Sequence, residues 1–291
     1  MARRKLGFWR RFVVMVVKPT MTIWTKREWS GMDNIPSSGG VIIAANHVSH
    51  ADPMVIAHYI YEAGRWPRFL GKASIFAIPV LGAWIIKAQQ IPVYRGGVDA
   101  AKSLEAATAA VNEGGALVIY PEGTTTREPD LWPMRGKTGT ARLALATGAP
   151  IVPVAMWGTH HLYNPRAKSR KLNLLPGRKV TVVAGEPIDL SRWAGAEPTR
   201  AVLEEITEVL MLRLRDMVAE LRGGTPPPLY VPAARRKGKA TGTPEPAATD
   251  EIAPETTVSD TVAVPDPAVS EAVTSSDATA VSNRTAREPG Q

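Results

Sequence analysis

Two rhythms of apolar residues alternate along most of the chain: short unbroken runs, and stripes at helical spacing. Val41–Ala45 is an unbroken run and reads as a strand covered on both faces. Pro53–Tyr61 has helical spacing, with Asp52 as N-cap and Pro53 in the first position. Arg68–Gly71 and Ile91–Tyr94 read as short strands, and Ala116–Tyr120, Ile151–Met156 and Val180–Ala184 as three more. Between them lie helices over Asp99–Glu113, stopped by Gly114-Gly115, and over Thr138–Thr147, ended by Gly148. Thr199–Leu221 carries Val202, Ile206, Val209, Leu210, Met217 and Leu221 on one side of a long amphipathic helix. Ile75–Ala88 is apolar but broken by Pro79 and Gly82. It suits a lipid-facing or acyl-lining surface and equally a core helix, and falls short of the ~20 residues that span a bilayer. Strands alternating with helices predict an α/β fold: a mostly parallel twisted sheet covered by helices.

The pattern stops near Gly223. Thr225-Pro226-Pro227-Pro228 and Arg235-Arg236-Lys237-Gly238-Lys239 open a stretch of Ala, Thr, Pro, Val, Ser and acidic residues without period. Residues from about 232 to 291 read as disordered. At the other end, basic residues mixed with Phe8, Trp9, Phe12 and Trp24 fit an amphipathic helical segment lying in a membrane interface, or one packed on the domain's own core. Its apolar run, Phe12–Val17, is closed by Lys18-Pro19 and no small-residue cleavage site follows. The expected organisation is a membrane-interface segment over 1–30, an α/β domain over 31–224 and a disordered tail over 225–291.

Charge sharpens the choice of partner. Residues 241–291 hold nine acidic and two basic side chains, so the first 240 residues carry +15 of a chain whose net charge is +8. Such a domain seeks anions: lipid headgroups, phosphorylated small molecules or nucleic acid. Few aromatic-basic repeats argue against nucleic acid. The lack of cysteine excludes disulfides, thiolate metal sites and a cysteine nucleophile. No glycine-rich nucleotide-binding loop is present.

The candidate chemistry gathers after the strands. Asn46-His47-Val48-Ser49-His50-Ala51-Asp52 follows the first strand, Arg95 another, and Glu122-Gly123-Thr124 a third. Ligands of open α/β sheets bind at the carboxyl ends of strands, so the three clusters suggest one site. A histidine backed by a carboxylate can draw a proton from a hydroxyl while the carboxylate fixes its tautomer. No serine or cysteine in an elbow motif accompanies the pair, so the hydroxyl would be the substrate's. The spacing of His47, His50 and Asp52 matches no standard metal motif, and His160-His161 has no assigned role.

These blocks resemble the glycerolipid acyltransferases, in particular the 1-acyl-sn-glycerol-3-phosphate acyltransferase group. Asn46–Asp52 is similar to N-H-x-S-x-x-D. Lys72 through Phe76 with Pro79 and Gly82, then Ile91–Arg95, looks like the second block. Tyr120–Thr126 is similar to F-P-E-G-T-R-S, and Ile151–Val154 to the fourth block. The resemblance covers about residues 35–190. It implies His47 as general base, Asp52 as its support, and acyl transfer from acyl-CoA or an acyl-carrier-protein to a lysophospholipid hydroxyl. It implies no metal and no cofactor beyond that co-substrate. Asn46, Ser49, Lys72, Arg95, Glu122, Gly123, Thr124, Arg127, Arg135 and Lys137 are the expected substrate-binding residues. The chain departs from the family at Thr125, where an arginine usually follows Gly-Thr. Arg127, Arg135 and Lys137 can supply that charge, or the acceptor is another lysophospholipid or a glycolipid alcohol. A non-catalytic basic membrane-binding protein is the remaining alternative. The expected location is peripheral, on an anionic membrane at its cytoplasmic face. Because Asn caps helices as well as Asp, Asp52→Asn is expected to leave folding nearly intact while removing activity.

Overall fold

The computed structural model describes residues 7–93, 97–167, 171–173 and 175–232, all within one unit spanning Met1–Arg236. Arg95 and the tail from 233 onward lie outside the described residues. The chain opens with helix α1 (Phe8–Trp24) and runs directly into β1 (Thr25–Ser30). It continues through β2 (Val41–Ala45), α2 (Asp52–Glu62), β3 (Pro67–Lys72), the short helices α3 (Ala73–Phe76) and α4 (Leu81–Lys87), and β4 (Ile91–Val93). Then come α5 (Gly97–Asn112), β5 (Ala116–Ile119), α6 (Gly139–Thr147), β6 (Ile151–Trp157), β7 (Arg178–Ala184) and α7 (Arg200–Arg222).

Seven strands form one sheet in the order β1-β7-β6-β2-β5-β3-β4. Every neighbouring pair is parallel except β6 and β7. β2 lies near the centre and all five of its residues are buried. Its alternation serves two layers: Val41, Ile43 and Ala45 pack with residues of α1 and α2, while Ile42 and Ala44 pack with residues of α5, α6 and α7. An unbroken apolar run is what a strand between two helical layers requires. The mostly parallel sheet with helices on both faces follows the alternation in the sequence.

Three local features differ from the sequence expectation. The helical segment expected over 1–30 ends at Trp24, and Thr25–Ser30 becomes an edge strand beside β7. The apolar stretch 75–88 is two short helices, joined so tightly that a Cβ on Gly82 would lie 1.9 Å from the Phe76 carbonyl oxygen. The N-cap of α2 is Ala51, and Asp52 is the first helical residue with its carboxylate turned back toward the preceding loop.

α1 has a composite character. Met21 and Trp24 are buried in the core, and Trp24 Nε1 donates to the Asn173 carbonyl at 2.6 Å. Pro19 stands inside the helix, while Thr20 and Thr22 hydroxyls donate back to the carbonyls of Val16 and Lys18. The N-terminal half meets α4 through Phe12 against Trp84 and Lys87 over Trp9, and Arg10 donates to the Gln89 side chain.

Candidate active site

The carboxyl ends of β2 and β5, adjacent and parallel, place their following loops side by side. After β2, His47 Nδ1 lies 2.8 Å from Asp52 Oδ2. The same oxygen accepts the backbone amides of Val48 at 2.8 Å and Ser49 at 2.9 Å. Asp52 is fully buried while 13% of the His47 side chain is exposed. With the carboxylate as acceptor, Nδ1 carries the proton and Nε2 keeps its lone pair. This is the tautomer a general base needs.

The β5 loop completes the frame. Glu122 is buried, and its two oxygens accept the amides of His47 at 2.9 Å and Met134 at 3.2 Å. Burial raises its pKa to about 8, against the lowering effect of those amide bonds. The Thr126 amide donates to the His47 carbonyl at 2.6 Å, so the two loops are stitched at both sides of the histidine. The Tyr120 ring stacks on the His47 imidazole, centroids 4.1 Å apart and planes 19° apart. Burial also pushes the Tyr120 hydroxyl well above its ordinary range and keeps it protonated.

Other expected residues fall into different positions. Asn46 and Ser49 do not face outward as substrate ligands would. Asn46 exchanges two hydrogen bonds with the Met156 backbone, fastening the end of β2 to β6. Ser49 donates to the Tyr163 carbonyl at 2.6 Å and accepts from the Ala51 amide. Both are buried and serve to hold the loop. Gly123 has φ +72°, a left-handed conformation that favours glycine. Gly123, Arg127, Arg135 and Lys137 are exposed and Thr124 is half-buried. The Arg127 carbonyl accepts from Arg166, and the Arg135 amide donates to the Tyr230 carbonyl. Lys72 closes β3 in register with Val93. Tyr120, Tyr163 and Met156 are contributors that the sequence motifs did not mark as partners. His50 lies near His47, ring centroids 6.4 Å apart, without sharing Asp52. His160 stacks near Trp157 and is pulled down to about pKa 4 by burial, then by His161 and Arg222. Among the described residues, no group of three metal-ligating side chains gathers.

His47 and Tyr120 also form part of the wall of a cavity of about 530 Å³. The rest of the wall is nearly all apolar: Val13, Val14 and Val17 of α1, Ala57 of α2, Phe69 of β3 and Trp84 of α4 among others. Its size suits one small organic ligand or chain. A base with a free lone pair thus stands beside a greasy chamber, an arrangement fit for chemistry on one end of a long apolar molecule.

Comparison with known proteins gives the same direction. Residues 26–157 match the acyltransferase family profile, a stretch that holds every candidate site residue. The chain is 31% identical over 156 residues to a 1-acyl-sn-glycerol-3-phosphate acyltransferase of Borreliella burgdorferi, covering 52% of this chain and 60% of that protein. It is 30% identical over 139 residues to a chloroplast 1-acyl-sn-glycerol-3-phosphate acyltransferase of Brassica napus, covering 46% and 38%. The chain therefore spans less than two thirds of the length of these curated relatives, 60% of one and 38% of the other. The crystal structure of the 1-acyl-sn-glycerophosphate acyltransferase PlsC from Thermotoga maritima shares the fold, with TM-score 0.55 and 23% identity over 74% of this chain and 80% of that one. Residues 26–157 are thus similar to the acyltransferase family and, within it, to the 1-acyl-sn-glycerol-3-phosphate acyltransferases.

Proposed function

We propose that the protein moves a fatty acyl group from acyl-CoA or an acyl-carrier-protein to the sn-2 hydroxyl of 1-acyl-glycerol-3-phosphate, giving phosphatidic acid. The observation that carries this is the His47–Asp52 pair, held at 2.8 Å, with His47 in the wall of the apolar cavity. In this reading the cavity takes an acyl chain and brings its polar end to Nε2. Nε2 removes the hydroxyl proton as the oxygen attacks the thioester carbonyl. The C–O bond forms, the C–S bond breaks, and the imidazolium returns its proton to the departing thiolate. Asp52 steadies the imidazolium, and the base contributes roughly 10²–10⁴ in rate. Glu122 orients the histidine through its main chain, and Tyr120 through its ring.

A membrane surface is the proposed setting. α1 is apolar on two faces: Val13, Val14 and Val17 line the cavity, while Phe8, Met15 and Ile23 are about 70% exposed. Val80, between α3 and α4, is 87% exposed. A helix apolar beyond its buried stripe is at home between protein and lipid. Among the described residues no helix is long and apolar enough to cross a membrane.

Thr125 favours a second acceptor, because the arginine that commonly follows Gly-Thr in the family is missing. A lysophospholipid with a larger headgroup, or a glycolipid alcohol, is then the acceptor and the chemistry is unchanged. Purified protein and His47→Ala, each given lysophosphatidic acid, other lysolipids and both thioester donors, separate the readings by mass spectrometry of the products. Phosphatidic acid from the native protein and none from the variant is expected. Product only from another lysolipid moves the acceptor, and no product from any pair sinks the proposal.

A further inference from the structure

The missing arginine leaves a definite question: which cation, if any, faces the loop where that side chain would have been. Arg127, Arg135 and Lys137 are all exposed, but only one is held against the loop by the contacts around it. The Arg127 main chain is fixed through its carbonyl by Arg166, and Arg135 is fixed to Tyr230 by its amide; neither contact brings a guanidinium to Gly123. Lys137 is tied to the loop twice. Its amide donates to the Pro121 carbonyl at 2.8 Å. Its side chain lies along Gly123, so that a Cβ there would meet Nζ at 2.9 Å, Cε at 3.0 Å and Cδ at 3.2 Å. Gly123 is next to Glu122, whose carboxyl holds the His47 amide. Among the described residues no carboxylate pairs with the Lys137 ammonium.

We infer that Lys137 is the cation that holds the acceptor's phosphate, in place of the arginine the family carries one residue after Gly-Thr. This rests on the proposed transfer to a phosphorylated lysolipid. The chemistry suits the position. An ammonium is a compact charge that binds phosphate without the planar geometry a guanidinium demands. Gly123 has no side chain to stand between the ammonium and an incoming phosphate, and its left-handed backbone keeps larger residues out. The fixed main-chain tie to Pro121 sets the reach of the lysine relative to His47, so that binding phosphate also sets where the hydroxyl falls.

The test reads binding and turnover separately. Trp66 and Trp84 line the cavity, so intrinsic fluorescence reports lipid entry. Native protein, Lys137→Met, Lys137→Arg, Arg127→Met and the charge control Arg142→Met are titrated in the same detergent micelles. The two probes are 1-oleoyl-glycerol-3-phosphate and uncharged 1-oleoyl-glycerol. Lys137→Met should weaken the phosphate lipid by about 10- to 100-fold and leave the uncharged lipid unchanged, the size of one lost charge-assisted contact. KM should rise by the same factor with kcat within about threefold, the pattern of a binding interaction equal in ground and transition states. Lys137→Arg should restore most of the affinity, and Arg142→Met should match the native protein. The inference is overturned if Lys137→Met binds both lipids like the native protein, if both lipids weaken together, or if the loss appears in Arg127→Met instead. Native protein that binds the phosphate lipid through Lys137 yet makes no product would remove the acyl-transfer reading and leave the inference standing.

Discussion

The two loops around His47 and the walls of the neighbouring cavity are built by opposite rules. In the loops, polar atoms are committed to particular partners: Asp52 Oδ2 to three donors, Glu122 to two amides, Asn46 to the amide and the carbonyl of Met156. In the cavity, valines, alanines and aromatic rings from several elements make most of the wall, with Lys18, His58 and Gln90, besides His47, as its few polar members. The difference separates precision from capacity. A hydrogen-bonded loop holds an imidazole to a fraction of an ångström and tolerates no substitute, whereas an apolar wall sets a volume and responds to changes in volume by degrees.

The largest expected effect follows from the most committed atom. Asp52→Asn should lower kcat by about 10²–10⁴, measured by steady-state turnover on the preferred lysolipid. It should also lower stability by about 1–3 kcal/mol, a departure from the expectation for a helix cap. Asp52 is not the cap: its Oδ1 is buried without a hydrogen-bond partner, and the amide nitrogen of Asn would enter that place as an unsatisfied donor. A variant that keeps both activity and melting temperature would show the loop to be as forgiving as the cavity. Next is Ala57→Phe, which puts a ring into the cavity. Activity with a long acyl chain should fall about 10-fold or more while a short chain keeps most of its rate, with an overpacking cost of about 1–3 kcal/mol. Equal losses for both lengths would mean that the chamber does not hold the chain.

The smallest effect is a slope. Glu122 keeps its proton up to about pH 8 in the folded protein, against an ordinary value of 4.5 when unfolded. Between these values the folded state holds more protons, so raising the pH favours unfolding. The stability tied to Glu122 is complete below about 4.5 and gone above about 8. Calorimetric melting curves from pH 5 to 9 should therefore fall more steeply for the native protein than for Glu122→Gln. Parallel curves would show the carboxyl to be ionised throughout and the loop to be electrostatically ordinary.

What could be seen in the sequence follows the same division. β2, β5 and β6 are legible because strands between two helical layers must be apolar throughout, and the spacing of His47 and Asp52 is legible because both belong to one short loop. β1 was hidden because Thr25-Lys26-Arg27-Glu28-Trp29-Ser30 alternates partly covered and exposed positions at a sheet edge, with only Thr25 buried, and reads as polar. Its partner β7 lies at the far end of the domain sequence. Asn46 and Ser49 looked like substrate ligands because their own partners, Met156 and Tyr163, are 110 and 114 residues away. Tyr120 opens the third block and Lys137 is among the expected substrate-binding residues, but neither carries a local sign of the contact it makes. The stacking on His47 and the contact with Gly123 exist only once the β5 loop is folded.

Pro19 has a bearing on how the protein spends its stability. It has no amide hydrogen, so the Met15 carbonyl loses its helical partner, and the hydroxyls of Thr20 and Thr22 soften the same turn by bonding backward. The half of α1 that follows is anchored in the core by Met21 and Trp24. The half that precedes is fastened by a few side-chain contacts to α4 and its neighbours. Local unfolding of the first half costs those contacts and leaves the sheet untouched. The part of the cavity wall that α1 supplies thereby melts at less cost than the sheet beneath it.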